Sequence, residues 1–189
     1  MNEQHGNIVT SVKNGIVDTV KGTGDVAKAV IDTIAGTFST LLKDSGRVGA
    51  AGTEAITHIA GGAIHGATEV GGDLGHAARG TIIGVLRGTQ ATGTAAVSTI
   101  SHTAGSVITS TAEVGGDLGK AAKGLVEGAI HSAKDVGLSA EDAASAAGTG
   151  ALEAAGKVGA AAGTTVRGAL AGTIHGVKVV LKEPSRSTI

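Results

Sequence analysis

The residues of this 189-residue chain best equipped for chemistry are its seven histidines, since an imidazole can bind a metal ion or move a proton near neutral pH. His65, His76, His131 and His175 stand apart by multiples of eleven, and His58 lies seven residues before His65. Eleven residues make three helical turns, so these side chains fall on one line along a helix. No pair has the four-residue spacing that brings two imidazoles to one ion. His65, His131 and His175 each follow an isoleucine, the place where an amphipathic helix carries a polar flank in any case. The line therefore reads as structural, and no metal site is assigned to it. A second candidate is EVGGDLG at Glu69–Gly75, repeated at Glu113–Gly119. Its paired glycines suggest a phosphate loop, but the strand-before, helix-after context and the Walker Lys-Ser/Thr are missing. With no Cys, thiolate metal sites and disulfides are excluded. No Ser/His/Asp or paired-carboxylate arrangement is organised, so the expectation is a chain that is not an enzyme and holds no covalently bound cofactor.

The elements that carry these residues follow one period. From Ile56, apolar residues recur every three or four positions through Ile59, Ala63/Ile64, Ala67, Val70, Leu74, Ala78, Ile82 and Val85. The same frame, stepped by eleven-thirds, reaches Leu181 in one direction and Ile8 in the other. GAIHGATEVG at Gly62–Gly71 returns as GAIHSAKDVG at Gly128–Gly137, and EVGGDLG returns after 44 residues, four elevens. The expected fold class is all-α: extended, amphipathic, Gly/Ala-rich helices with 11-residue repeats. A single helix of that length would run roughly 260 Å, so breaks are expected.

Composition narrows the architecture. Phe38 is the only aromatic residue and 33 residues are glycine, so there is little to fill a thick core. Each helical glycine forfeits about 1 kcal/mol relative to alanine, and close packing must compensate. Gly80, Gly84 and Gly88, then Gly124 and Gly128, then Gly168, Gly172 and Gly176 recur at four-residue spacing and are assigned as helix-packing surfaces. The glycines of GTG at Gly22 and Gly148 read instead as loop or hinge positions. The segment from Ser139 to Thr165 is nearly all Ala and Gly along its stripe, so any partner helix there must approach closely.

The chain divides into an amphipathic arm (1–43), a hinge (44–53), a repeat region for oligomerisation and partner binding (54–183) and a tail (184–189) that begins at Pro184. The arm concentrates bulky apolar residues, Ile8, Val12, Ile16, Val20, Val30, Ile34, Phe38 and Leu41, in one stripe, and alternating charges flank it. That stripe is assigned to lipid, a quinone or an oligomer core. A homo-oligomeric coiled coil or tubular bundle would bury what one chain leaves open. The 15 basic and 16 acidic residues balance and no basic run occurs, so nucleic acid is not an expected partner. The span Gly88–Ala112 lacks charge but is crowded with Thr, Ser and Gly, too polar to favour crossing a bilayer. The expected location is cytoplasmic, peripherally associated with membrane.

Three functions fit such a chain: an oligomeric scaffold, an amphipathic lipid-surface protein, and a desiccation protectant built from 11-residue repeats. The positive mean hydropathy of +0.25 speaks against the last, and the lack of a basic polar face and of Trp or Phe anchors against the second. In its length, lack of Cys, Gly/Ala-rich helices such as GTIIGVLRG at Gly80–Gly88, and amphipathic amino-terminal arm, the chain resembles the scaffold or stalk subunit of high-affinity nickel-iron hydrogenases that oxidise atmospheric hydrogen. The resemblance implies a homotetramer at the centre of a hydrogenase complex, a stalk reaching the membrane, and menaquinone guided through an apolar bore to the catalytic subunits.

Overall fold

The computed structural model describes the backbone of residues 2–23, 25–45, 50–91 and 93–182; the side chains of 2–6, 22–23, 41–45, 50–51 and 94 lie outside the description. Eight helices occupy these residues: α1 (Asn2–Thr23), α2 (Val26–Ser45), α3 (Ala50–Glu69), α4 (Leu74–Thr89), α5 (Gly93–Glu113), α6 (Leu118–Ser132), α7 (Ala140–Val158) and α8 (Ala160–Leu170). A two-residue-per-strand hairpin follows, β1 (Thr173–Ile174) paired antiparallel with β2 (Val177–Lys178).

The all-α class holds, but the single coherent phase does not describe one element. The chain turns back on itself at glycines spaced 22 residues apart: Gly71, Gly93, Gly115 and Gly137 have φ between 55° and 72°, and Gly159 continues the series at φ 158°. Twenty-two residues are two elevens, six helical turns. A turn inserted at that interval returns the next helix to the same frame, which is why the pattern never has to be reset. EVGGDLG is this turn. In its first copy Gly72 N–H donates to the Ala67 carbonyl at 2.7 Å while Gly71 adopts the left-handed conformation, and the Asp73 carboxylate then accepts from His76 N–H at 3.0 Å to start α4. The second copy repeats the arrangement with Gly116 N–H on Thr111 and Lys120 N–H on Asp117. Between α6 and α7, Leu138 N–H reaches the Ala133 carbonyl and Ser139 caps α7 through Asp142 N–H.

Alternate helices pack side by side, giving two layers: α1, α3, α5 and α7 in one, α2, α4, α6 and α8 in the other. Within a layer the neighbours run parallel, as the order of contacts between α2 and α4 shows. A Cβ built on Gly80 would meet Val30 at 3.0 Å, one on Gly84 would meet Ile34 at 2.9 Å, and one on Gly88 would meet Phe38 at 2.5 Å. Gly62 and Gly66 of α3 receive Val12 and Ile16 of α1 in the same way. Gly124 and Gly128 of α6 lie against the backbone of Gly75 and Arg79 of α4, and Gly150 of α7 lies against that of Ser101 in α5. The glycine cost to helix propensity is thus offset by dispersion contacts that only a bare Cα permits.

The apolar core lies between the layers and runs their whole width, from Val12 and Phe38 to Val166 and Leu170. The stripe of the amino-terminal arm belongs to it. Val12, Ile16, Val30, Ile34 and Phe38 are buried, Ile8 and Val20 are half-buried, and the Leu41 side chain lies outside the described residues. This stripe meets α3 and α4 of its own chain, and α1 and α2 are two members of the layers instead of a separate arm. The hinge segment 44–53 has its ends inside α2 and α3; 46–49 lie outside the described residues, as does 183–189, which holds the tail.

Two glycine assignments need correction. Gly168 lies in α8 with nothing within 4 Å of an added Cβ, Gly172 (φ 104°) follows the helix end, and Gly176 (φ 79°) sits in the hairpin turn, so these three form no packing groove. The physical reason is that α8 ends at Leu170 and the frame continues as a tight two-residue hairpin turn of His175 (φ 50°) and Gly176, which needs positive φ at both positions. Conversely, Gly148 is a buried residue in the middle of α7, where an added Cβ would meet Leu181 at 2.8 Å and Val179 at 3.0 Å. The chain after β2 lies along α7, with Ser145 donating to the Val180 carbonyl at 2.6 Å and Lys182 N–H donating to Thr149 at 3.2 Å.

Candidate functional site

Side chains of chemical interest gather on the two outward faces of the slab. On the face of α1, α3, α5 and α7 there is an open groove of about 830 Å³, within the range of ligand-sized sites. It forms where α3 and α5 present small residues to each other: Gly61 faces the Ser110 hydroxyl, and Gly105 faces Gly150 and Ala154 of α7. Without bulky side chains from α3 to fill the step between helices, the walls are hydroxyls and imidazoles, among them Thr57, Ser98, Ser101, Ser106 and Thr109. Glu113, Glu153 and Lys157 add charge to it.

One hydrogen-bonded cluster ties the wall together. His102 Nε2 lies 3.0 Å from the Thr53 carbonyl and 3.1 Å from Thr57 Oγ1, and Thr57 Oγ1 lies 3.2 Å from Ser106 Oγ. Since a carbonyl only accepts, the contact with Thr53 requires Nε2 to donate. His58 and His65 also line the groove from α3. The geometry offers hydrogen-bond donors and acceptors over a long surface, with a floor formed by bare helix backbone.

The eleven-spaced histidines are divided between the faces. His65 is on α3, whereas His76 and His131 are exposed on α4 and α6 of the other layer, and His175 occupies the hairpin tip 3.5 Å from Glu127. Among the described residues no group of three or more His, Asp or Glu could hold a metal ion. His102, outside the eleven-residue series, joins the groove through its hydrogen bonds to Thr53 and Thr57. The signal that could have found this region is the uncharged, hydroxyl-crowded span Gly88–Ala112, read above only for its unsuitability to cross a bilayer; its Ser and Thr residues line the groove wall.

The layers differ in charge. Among described side chains of α1, α3, α5 and α7, the seven acids Asp18, Glu54, Glu69, Glu113, Glu141, Asp142 and Glu153 face three bases, Lys13, Lys21 and Lys157, a net of −4. In α2, α4, α6 and α8 the six bases Lys28, Arg79, Arg87, Lys120, Lys123 and Arg167 face two acids, Asp32 and Glu127, a net of +4. The near-neutral whole conceals this because charge sign alternates from α3 to α8, α1 carrying +1 and α2 none, and because the cap carboxylates Asp25, Asp73 and Asp117 offset the bases at the starts of α2, α4 and α6. Local pairs modify it slightly: Lys13 holds Glu69 at 2.8 Å and lowers its pKa, and Lys28 holds Asp32 at 2.6 Å, which raises the lysine pKa. The Asp73 carboxyl is held below its ordinary range mainly by the His76 N–H it caps, with His76 and Lys120 charge adding to the effect.

None of the described helices is long and apolar enough to cross a membrane. No family model, curated protein or solved structure matches this chain.

Proposed function

We propose that this protein is a non-catalytic scaffold, a helical platform that holds other macromolecules against its broad faces. The observation that carries the reading is the stacking of alternate helices through glycine contacts into two parallel layers, with a groove of about 830 Å³ running across the outer helices of one of them. Helix pairs stacked in this way present extended surfaces, the form in which solenoid-like proteins engage partners. The groove suits a polar polypeptide segment, which the Ser, Thr and His side chains would meet with hydrogen bonds.

The hydrogenase resemblance supplies candidate cargo: catalytic subunits arranged around a homotetramer, with menaquinone reaching them from the membrane. In that version the stripe from Ile8 to Phe38 would have to leave its contacts with α3 and α4 before it could line an apolar bore. A platform that binds partners while α1 and α2 remain packed requires no such opening.

The test is purification of the tagged protein from its native cells after photo-crosslinking from Ser98 and Thr109, in the groove, and from Asn14 as a surface control. The scaffold reading expects the same companion polypeptide, in fixed stoichiometry, from both groove positions and not from the control. Recovery of the bare chain from all three positions would overturn it.

A further inference from the structure

We propose that the outward face of the even-numbered layer, carried by α4 and α6, docks this protein on an anionic lipid surface. On α4, His76, Arg79 and Arg87 stand at positions 0, 3 and 11 of a helical face; on α6, Lys120, Lys123 and His131 stand at the same offsets, 44 residues later. Five of the six are exposed and Arg79 is half-buried. Each row spans about 16 Å, and the axes of packed helices lie about 8–10 Å apart, so the cations form a flat patch. Its one helical acid, Glu127, has His175 beside it at 3.5 Å, and two cap carboxylates lie at one edge, Asp73 at 3.8 Å from the Lys120 ammonium and Asp117 accepting from Lys120 N–H at 3.0 Å.

A flat array of cations suits a surface of mobile anionic headgroups, which needs no complementary shape. Nucleic acid fits less well. Phe38 is the only Phe, Tyr or Trp and it is buried, so none of these large rings is presented to stack on bases, and the sequence pI of about 6.6 lacks the excess basic charge of such binders. The opposite face of a second copy also fits less well, because part of its charge is already engaged: Glu69 by Lys13 and Asp142 by Ser139. The helices of one layer carry net −4 and those of the other +4, offset at its edge by the cap carboxylates Asp25, Asp73 and Asp117, so an anionic membrane would repel the first face and meet the α4 and α6 cations on the second, leaving the hydroxyl-lined groove turned to solvent.

The inference deepens the scaffold reading by fixing how the platform is oriented, and its test uses the purified full chain without any partner. A failure here therefore leaves the crosslinking result to judge the scaffold alone. The protein is sedimented with vesicles of phosphatidylcholine, and with vesicles in which one third is phosphatidylglycerol. Binding is expected only to the anionic vesicles, and to be lost between about 0.1 M and about 1 M salt as the Debye length shortens from about 10 to about 3 Å. Each cation near the surface contributes about fivefold, so the triple variant Arg87→Gln, Lys120→Gln, Lys123→Gln should lower partitioning roughly a hundredfold. The double variant Glu113→Gln, Glu153→Gln on the other layer should not weaken it. Circular dichroism of both variants confirms that the fold is retained. Equal binding to neutral vesicles, equal binding by the triple variant, or no binding would overturn the proposal. So would salt-sensitive pelleting without vesicles, which assigns the face to a second copy, or capture by DNA with vesicles left unbound, which assigns it to nucleic acid.

Discussion

Replacing Gly124 by alanine adds one methyl group at the α4–α6 contact, and the structure sets the sign of its effect. The new carbon would fall on the Gly75 carbonyl, a backbone group that cannot rotate aside, so the two helices must separate. Overpacking of this kind costs about 1–3 kcal/mol. Against it stands the intrinsic helix preference of alanine over glycine, about 1 kcal/mol. Because the obstruction is main chain, the cost lies at the upper end, and the net expectation is a loss of about 2 kcal/mol. Gly36 of α2 is the matching control, since nothing lies within 4 Å of an added Cβ there. Gly36→Ala should gain up to about 1 kcal/mol through propensity and a less flexible unfolded chain. The two variants should therefore differ by roughly 3 kcal/mol in urea unfolding followed by circular dichroism. Gly168→Ala should behave like Gly36→Ala, as its site is equally open. Equal stability of Gly124→Ala and Gly36→Ala would refute the close-contact account of the glycines.

The turns and the tail give further outcomes. Gly115→Ala should lose about 1–2 kcal/mol in the same assay, because φ 67° is strained for any residue with a Cβ. Asp117→Ala removes the cap on Lys120 N–H and should cost about 1 kcal/mol. Asp73 and Glu69 both have folded pKa values below their unfolded ones, so their stabilisation is present above the unfolded pKa and is lost as the pH falls through the folded value. The thermal midpoint should fall on acidification below about pH 4, and Asp73→Asn should make that fall shallower. Gly148→Leu should displace Val179 and Leu181 from α7, read as faster proteolysis of the tail with the helical content retained.

The class of this fold was legible because a three-to-four-residue apolar period survives from Ile8 to Leu170, and core positions such as Ile59, Ile82 and Leu125 fall on it. Gly80, Gly84, Gly88, Gly124 and Gly128 were legible for a related reason: small residues four apart leave a groove whatever the partner is. The partner was not legible. A stripe that keeps its phase across turns looks the same whether the chain runs on or folds back, and only the stop-and-start chemistry of Gly71-Gly72-Asp73 and Gly115-Gly116-Asp117 distinguishes the two. Reading those glycines as punctuation would have yielded the 22-residue element and, with it, the alternation of charge between layers. Gly148 and Gly168 were exchanged in role because their environments are set by residues far along the chain, Leu181 for one and open solvent for the other. The groove lay hidden for the same reason, since Thr57 and His102 are 45 residues apart and meet only once α3 and α5 share a layer.

The layered arrangement underlies the groove, the charged faces and the platform reading alike, and one distance tests it. Arg87 is exposed near the end of α4 and Lys134 is exposed just after α6, and the chain has no Cys to interfere with labelling. Spin labels on Arg87→Cys and Lys134→Cys should lie within about 20 Å of each other, as neighbouring helices of one layer require. A separation near 70 Å, the length of 47 residues in an unbroken helix at about 1.5 Å each, would contradict the fold and every surface derived from it.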